Sequence, residues 1–132
     1  MKRQQGFSIV TAIFILVVLG LLAGYMVKLS AVQTTTFNAV LQGARAYQTA
    51  RAGIEWSVAR INNGGGCGEV NAQTAMTFNG LNGFSVRLTC SSQSYSEGEQ
   101  NPVVYRINAL SSFGNYSDSG YVAREMEITI VK

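Results

Sequence analysis

Histidine is absent from the 132 residues of this chain, and charged residues make up only 13 % of it. The lack of histidine excludes Ser-His-Asp and Cys-His catalysis, histidine metal sites and a histidine pH switch. The charged fraction is roughly half of the ordinary share, whereas apolar residues reach 47 %. We therefore expect a structural or binding protein, not an enzyme, with no metal and no cofactor.

Basic residues exceed acidic residues by three, since the chain has 10 lysines and arginines against 7 aspartates and glutamates. These basic residues are scattered along the sequence and do not form the aromatic-interleaved cluster that nucleic-acid binding requires. No nucleic-acid partner is expected.

The chain has two cysteines, Cys67 and Cys90, 23 positions apart in a stretch rich in glycine, asparagine and serine. The Cys-x-x-Cys spacing of zinc sites and thiol-exchange sites is missing. The two residues predict a structural disulfide, formed in an oxidising compartment. Two free thiols in a cytosolic protein are the alternative.

The longest uncharged stretch runs from Phe7 to Val27 and is closed by Lys28. At about 1.5 Å per residue it spans roughly 30 Å, the thickness of a bilayer core. It is longer than the apolar part of a secretory signal and lacks a small-x-small cleavage site at its end. We predict a transmembrane helix over 7–27, with Lys2 and Arg3 on the cytoplasmic side and the remainder exported.

The helical pattern continues beyond the apolar run, because no proline occurs from Ser30 to Ile61. Apolar residues recur there at steps of three and four, interrupted by Arg51, which predicts an amphipathic helix over 28–61 that ends at Asn62 and the following glycines. We expect this apolar stripe to dock on the chain's own C-terminal part, with a coiled-coil dimer as the alternative. The stripe comprises Phe37, Val40, Ala44, Tyr47, Ile54, Val58 and Ile61.

Residues 62–132 change to a period of two, which is typical of half-buried antiparallel strands. The pattern predicts strands over 84–90, 103–110 and 125–130, and a weaker strand over Thr74 to Phe78, with surface loops over 91–102 and 111–120. One face of such a sheet needs a cover, and the amphipathic helix is the element that can supply it. The expected fold is α+β, with the long helix packed on a small, disulfide-bonded antiparallel sheet.

The N-terminal stretch KRQQGFSIVTAIFILVVLGLL, followed by an amphipathic half-helix and a small cysteine-containing domain, resembles type IV pilin-like proteins. The stretch ARAGIEWSVARI, residues 50–61, is similar to the branch of minor pilins that contains PilX-like and general secretion pathway K-like proteins. The resemblance implies a prepilin leader over 1–6, cleavage by a prepilin peptidase after Gly6 and methylation of the new N-terminal residue, Phe7.

The same resemblance implies a minor structural subunit that takes part in the biogenesis of a type IV pilus similar to the mannose-sensitive haemagglutinin (MSHA) pilus, with a role in cell adhesion. Its implied partners are other major and minor pilins, the prepilin peptidase, the inner-membrane assembly platform and, before assembly, membrane lipid. The implied location is the inner membrane with the C-terminal domain in the periplasm, and then the pilus at the cell surface. Gly20 and Gly24 form a small-xxx-small pair that suits close helix packing in lipid. Alternatively, the pair marks a place where the helix can loosen.

The fifth residue of the implied mature chain is Thr11, where major pilins usually have glutamate. That glutamate is thought to pair with the N-terminal amine of a neighbouring subunit, which threonine cannot do. The Thr11 hydroxyl is instead expected to bond the carbonyl of Phe7 within the helix. A subunit without this ion pair suits the tip of a filament or the initiation of its assembly.

A second hypothesis fits the same hydropathy. A single-pass inner-membrane protein with a periplasmic binding domain, neither cleaved nor built into a filament, would have the same apolar run and the same exported domain.

Overall fold

A computed structural model of the protein describes residues 9–132, which form two helices and one three-stranded sheet. The order β1-β2-β3 is antiparallel throughout. A long apolar N-terminal helix and a small antiparallel sheet confirm the predicted α+β class. The predicted leader, Gly6 and Phe7 lie outside the described residues. The elements are α1 (Ile9–Asn62), α2 (Cys67–Asn71), β1 (Phe84–Ser94), β2 (Val103–Phe113) and β3 (Val122–Val131).

The chain divides into two compact units, Met1–Asn38 and Ala39–Lys132. The described part of the first unit consists of residues 9–38, the N-terminal part of helix α1. The second unit contains the C-terminal part of α1, the short helix α2 and the sheet. Residues 39–62 of the long helix, which include most of the predicted amphipathic half, therefore belong to the same unit as the strands.

The three predicted strands are confirmed, and each extends beyond its predicted bounds. The β1–β2 ladder runs from Phe84 opposite Phe113 to Ser94 opposite Val103. The polar residues at the end of β1 pair through their backbones, which the alternation of side chains does not reveal. The predicted loops over 91–102 and 111–120 consequently shorten to 95–102 and 114–121.

The weaker strand predicted over Thr74 to Phe78 is wrong. Of residues 74–78, only Met76 pairs with the sheet, through two backbone hydrogen bonds of 2.8 Å with Val86. Helix α2 ends at Asn71, ahead of the predicted strand, and the side-chain amide of Asn71 takes the place of a backbone partner for Cys90. Its Nδ2 donates to the Cys90 carbonyl at 3.0 Å, and its Oδ1 accepts from the Cys90 N–H at 2.7 Å.

The disulfide between Cys67 and Cys90 is confirmed. It joins the first residue of α2 to β1, beside the two hydrogen bonds of Asn71. Covalent and polar links thus hold α2 against this edge of the sheet.

Helix α1 meets the sheet through a stripe of mostly small residues, which corrects the predicted docking stripe. Of the predicted set, Ile54 and Ile61 are buried and Val58 is half-buried, whereas the four earlier residues are exposed. The helix can approach the sheet closely only where its side chains are short, and positions three and four apart share that face. The buried stripe comprises Gly43, Ala46, Thr49, Ala50, Gly53, Ile54, Ser57 and Ile61.

The two hydroxyl residues in this stripe need no external partner. Thr49 donates to the carbonyl of Arg45 at 2.7 Å, and Ser57 donates to that of Gly53 at 2.8 Å. Their polar groups are satisfied within the helix, so both side chains pack as small apolar groups. The core that they border comprises Ala50, Ile54, Ile61, Val70, Val86, Leu88, Ile107 and Ala109.

Candidate membrane and assembly segment

The first unit presents its apolar side chains to the surroundings. Every leucine, isoleucine, valine, phenylalanine and methionine from Ile9 to Val32 is at least 36 % exposed in the isolated chain. Exposed apolar surface costs roughly 25 cal/mol per Å² in water. Contact with lipid or with other apolar helices would remove this cost, and helix α1 is long and apolar enough to span a membrane.

Three consecutive threonines follow the apolar segment, and their hydroxyls bond back into the helix. Thr34 donates to the carbonyl of Ser30 at 3.0 Å. Thr35 and Thr36 each donate to the carbonyl of Val32 at 2.9 Å. Since these hydroxyls are satisfied within the helix, the segment can lie against lipid or another helix without leaving a polar group unpaired.

Gly20 and Gly24, the predicted helix-packing pair, form an open notch on the apolar segment. Apart from the adjacent residues and the helix's own backbone, no atom lies within 4 Å of the position that a Cβ would take on either glycine. The notch is bordered by Leu21, Tyr25 and Lys28. A neighbouring helix can approach the backbone closely there, which is the geometry that small-xxx-small pairs provide in membranes.

Thr11 lies on the described part of the helix and its side chain is exposed. The predicted acceptor of its hydroxyl, the carbonyl of Phe7, lies outside the described residues, as do the predicted cleavage site at Gly6 and the predicted methylation of Phe7. These assignments stay predictions. Thr11, Gly20 and Gly24 share the apolar segment.

The second unit carries ion pairs that are all at its surface. Arg51 Nε lies 2.9 Å from Glu55 Oε1, and Arg106 Nε lies 3.4 Å from Glu127 Oε1. Each partner is more than half exposed, so these pairs contribute little to the free energy of unfolding. Within residues 9–132, no group of three or more His, Cys, Asp or Glu side chains is placed to hold a metal ion.

The second unit also has a polar groove, on the sheet face opposite helix α1, that the sequence pattern does not predict. Ser85 and Arg87 of β1 line it together with Leu110 and Ser112 of β2 and Tyr121. The period-two pattern marks these positions as outward-facing, but it does not show which outward residues of different strands are neighbours.

Comparison with protein-family models, with curated proteins and with solved structures gives no match. Two surfaces of the described residues bear on function: the apolar segment of the first unit and the polar groove of the second.

Proposed function

We propose that this chain is a minor pilin-like subunit that takes part in the assembly of a type IV pilus similar to the MSHA pilus. The observation that carries the proposal is the apolar segment from Ile9 to Val32, whose large side chains are all exposed. Such a segment suits the two environments of a pilin helix, lipid before assembly and the helices of other subunits afterwards.

The notch at Gly20 and Gly24 supports helix packing over a simple anchoring role. An anchor surrounded by lipid gains nothing from a bare backbone, whereas a packed helix gains van der Waals contact where two backbones approach. The back-bonded threonines at 34–36 extend the surface that tolerates an apolar neighbour.

The proposed processing follows from the residues before the helix. The sequence KRQQGF supplies a short basic leader, a glycine before the cut and a phenylalanine after it. In this proposal the prepilin peptidase removes Met1 to Gly6 and methylates Phe7. The inner-membrane assembly platform then transfers the subunit from lipid into the filament, beside other major and minor pilins. The disulfide-bonded unit remains in the periplasm until then.

The intact mass of the protein, purified from membranes of cells with and without a prepilin peptidase, tests this proposal. The expected result is loss of Met1 to Gly6 and gain of one methyl group, only where the peptidase is present. Gly6→Leu should block both changes and prevent incorporation into pili. Gly120→Leu is the matched control, because no atom apart from those of its chain neighbours lies within 4 Å of a Cβ at Gly120; it should be processed normally.

A full-length, unmethylated chain in both strains would reject the pilin proposal. That result would favour a single-pass inner-membrane protein with a periplasmic binding domain. The groove of the second unit is the observation that favours this second function. The same mass measurement therefore separates the two candidates.

A further inference from the structure

The polar groove lies on the face of the sheet that does not pack on helix α1. Its volume is about 300 Å³, and it is lined by Thr74, Ala75, Ser85, Arg87, Leu110, Ser112 and Tyr121. Five of these seven side chains carry hydrogen-bonding groups, four hydroxyls and one guanidinium. No carboxylate lines the groove, so its only formal charge is that of Arg87.

The register of the sheet brings these side chains together. Ser85 lies directly opposite Ser112, and Arg87 lies directly opposite Leu110, on two rungs of the β1–β2 ladder. Side chains of directly opposed residues share one face and lie about 5 Å apart. The Met76 bridge to Val86 brings the segment that holds Thr74 beside these rungs.

The polar side chains of the groove have no hydrogen-bond or ion-pair partner within residues 9–132. The hydroxyls of Thr74, Ser85, Ser112 and Tyr121 make no side-chain hydrogen bond there. Arg87 likewise has no carboxylate within 4.0 Å in that range.

Two neighbouring side chains on the same sheet face behave differently. Arg106 is paired with Glu127 at 3.4 Å. Glu125, which lies opposite Leu110 on the other side of β2, accepts a hydrogen bond from Nδ2 of Asn108. The nearby charged side chains thus already have partners, whereas Arg87 keeps all five of its N–H donors available.

We propose that this groove binds an acidic saccharide. The Arg87 guanidinium presents a planar pair of donors that matches one carboxylate. The four hydroxyls both donate and accept, as the hydroxyls of a sugar ring do. The apolar surfaces of Leu110 and Tyr121 border these polar groups, and the Tyr121 ring is contacted edge-on by Tyr116 at a centroid distance of 5.4 Å.

The lining residues favour a carboxylated sugar over a phosphate ester. An arginine fork matches either a carboxylate or a phosphate, but phosphate sites commonly add backbone N–H groups at a helix N-terminus. This groove has one arginine and no lysine, and none of its lining residues lies at a helix N-terminus. The site belongs to the second unit, so it does not depend on the proposed pilin function.

Binding of trigalacturonate to the full chain in nonionic detergent, measured by calorimetry, tests the proposal. The uncharged galactose trisaccharide and inorganic sulfate are the comparison ligands. Trigalacturonate should bind saturably at millimolar concentration or below, and both comparison ligands should bind at least about tenfold more weakly, since each lacks either the charge or the hydroxyls. Arg87→Gln should weaken trigalacturonate binding by about tenfold or more.

Arg106→Gln is the matched control, because it removes the same charge from the same sheet face outside the groove. It should leave the Kd within about twofold. Absence of saturable trigalacturonate binding, equal losses in both arginine variants, or sulfate binding as tight as the trisaccharide would each overturn the proposal. Should Arg87→Gln not fold, Tyr121→Phe combined with Ser112→Ala replaces it, and an unchanged Kd in that variant would also overturn it.

Discussion

Gly53 of helix α1 lies directly against Val86 of β1. A Cβ on Gly53 would stand 2.9 Å from Cγ1 of Val86 and 3.1 Å from Cδ2 of Leu88, both of them core residues. Val86 is fully buried, so its side chain has no free space into which to move. The absence of a side chain at Gly53 sets how closely the helix approaches the sheet.

We expect Gly53→Ala to be less stable than Gly43→Ala by about 1–3 kcal/mol, the usual cost of overpacking. Both substitutions replace a helical glycine, so the gain in helix propensity cancels in the comparison. At Gly43 the nearest group is the exposed guanidinium of Arg124, 3.3 Å away, which can move aside. Urea unfolding in detergent, followed by the fluorescence of Trp56, the single tryptophan, measures the difference. Equal midpoints and slopes would contradict this contact.

Gly83 is expected to tolerate no side chain. Its φ is +85°, and a Cβ there would lie 2.6 Å from Cε2 of Phe113, whose ring packs against Phe84 at a centroid distance of 4.9 Å. Gly83→Ala combines backbone strain with this overlap and should cost about 2–4 kcal/mol. Gly80 has the same φ of +85°, and no atom apart from those of its chain neighbours lies within 4 Å of a Cβ there. Gly80→Ala should therefore lose only the free energy that corresponds to backbone strain. Identical losses of unfolding free energy in the two variants would show that the Phe113 contact is unimportant.

Removal of the disulfide should lower the free energy of unfolding of the second unit by about 3 kcal/mol, according to the chain-entropy account of its loop. The variant is Cys67→Ser with Cys90→Ser, compared in urea with the oxidised and the reduced wild type. The reduced protein and the double variant should unfold at the same midpoint. A double variant as stable as the oxidised protein would indicate that Asn71 alone holds α2 to β1.

Lys132 caps the C-terminal end of helix α1. Its Nζ donates to the carbonyl of Ile61 at 2.8 Å, while its own backbone exchanges two hydrogen bonds with Val103. An ammonium group at this end of a helix also interacts favourably with the helix dipole. Lys132→Met should therefore cost about 0.5–1.5 kcal/mol, and Lys132→Arg should retain most of the stability. Equal unfolding midpoints for the methionine variant and the wild type would show that the Lys132 cap does not contribute to stability.

The proposed pilin function makes a prediction at Thr11. A carboxylate in lipid costs about 2.5–3.5 kcal/mol unless it is paired, so Thr11→Glu should favour incorporation beside a subunit that offers a free N-terminal amine. We expect immunogold labelling to shift from the filament end in the wild type to positions along the filament in Thr11→Glu, with Thr11→Ser behaving as the wild type. Uniform labelling of the wild-type filament would contradict a tip position.

Local patterns in the sequence predicted most elements of the fold. The uncharged run to Val27, the breakers after Asn62 and the alternation in each strand are properties of neighbouring residues, and they placed the long helix and the three strands. The spacing and surroundings of Cys67 and Cys90 also predicted their disulfide. The strand prediction over 74–78 was wrong because the neighbour of Cys90 at this edge is a side chain. The side-chain amide of Asn71 makes the hydrogen bonds to the Cys90 backbone that a paired strand would make.

The sequence by itself determined which segments are helical, which are extended and where the apolar surface is concentrated, because those properties follow from periodicity and local conformational preference. Only the tertiary structure decided which face of the helix meets the sheet. Large apolar residues such as Val40 and Tyr47 predicted that their face of the helix meets the sheet, but these side chains are exposed. The small residues around Gly53 pack against the sheet instead, because they allow the closest approach of the helix. The groove at Arg87 likewise depends on strand register, which places distant residues side by side.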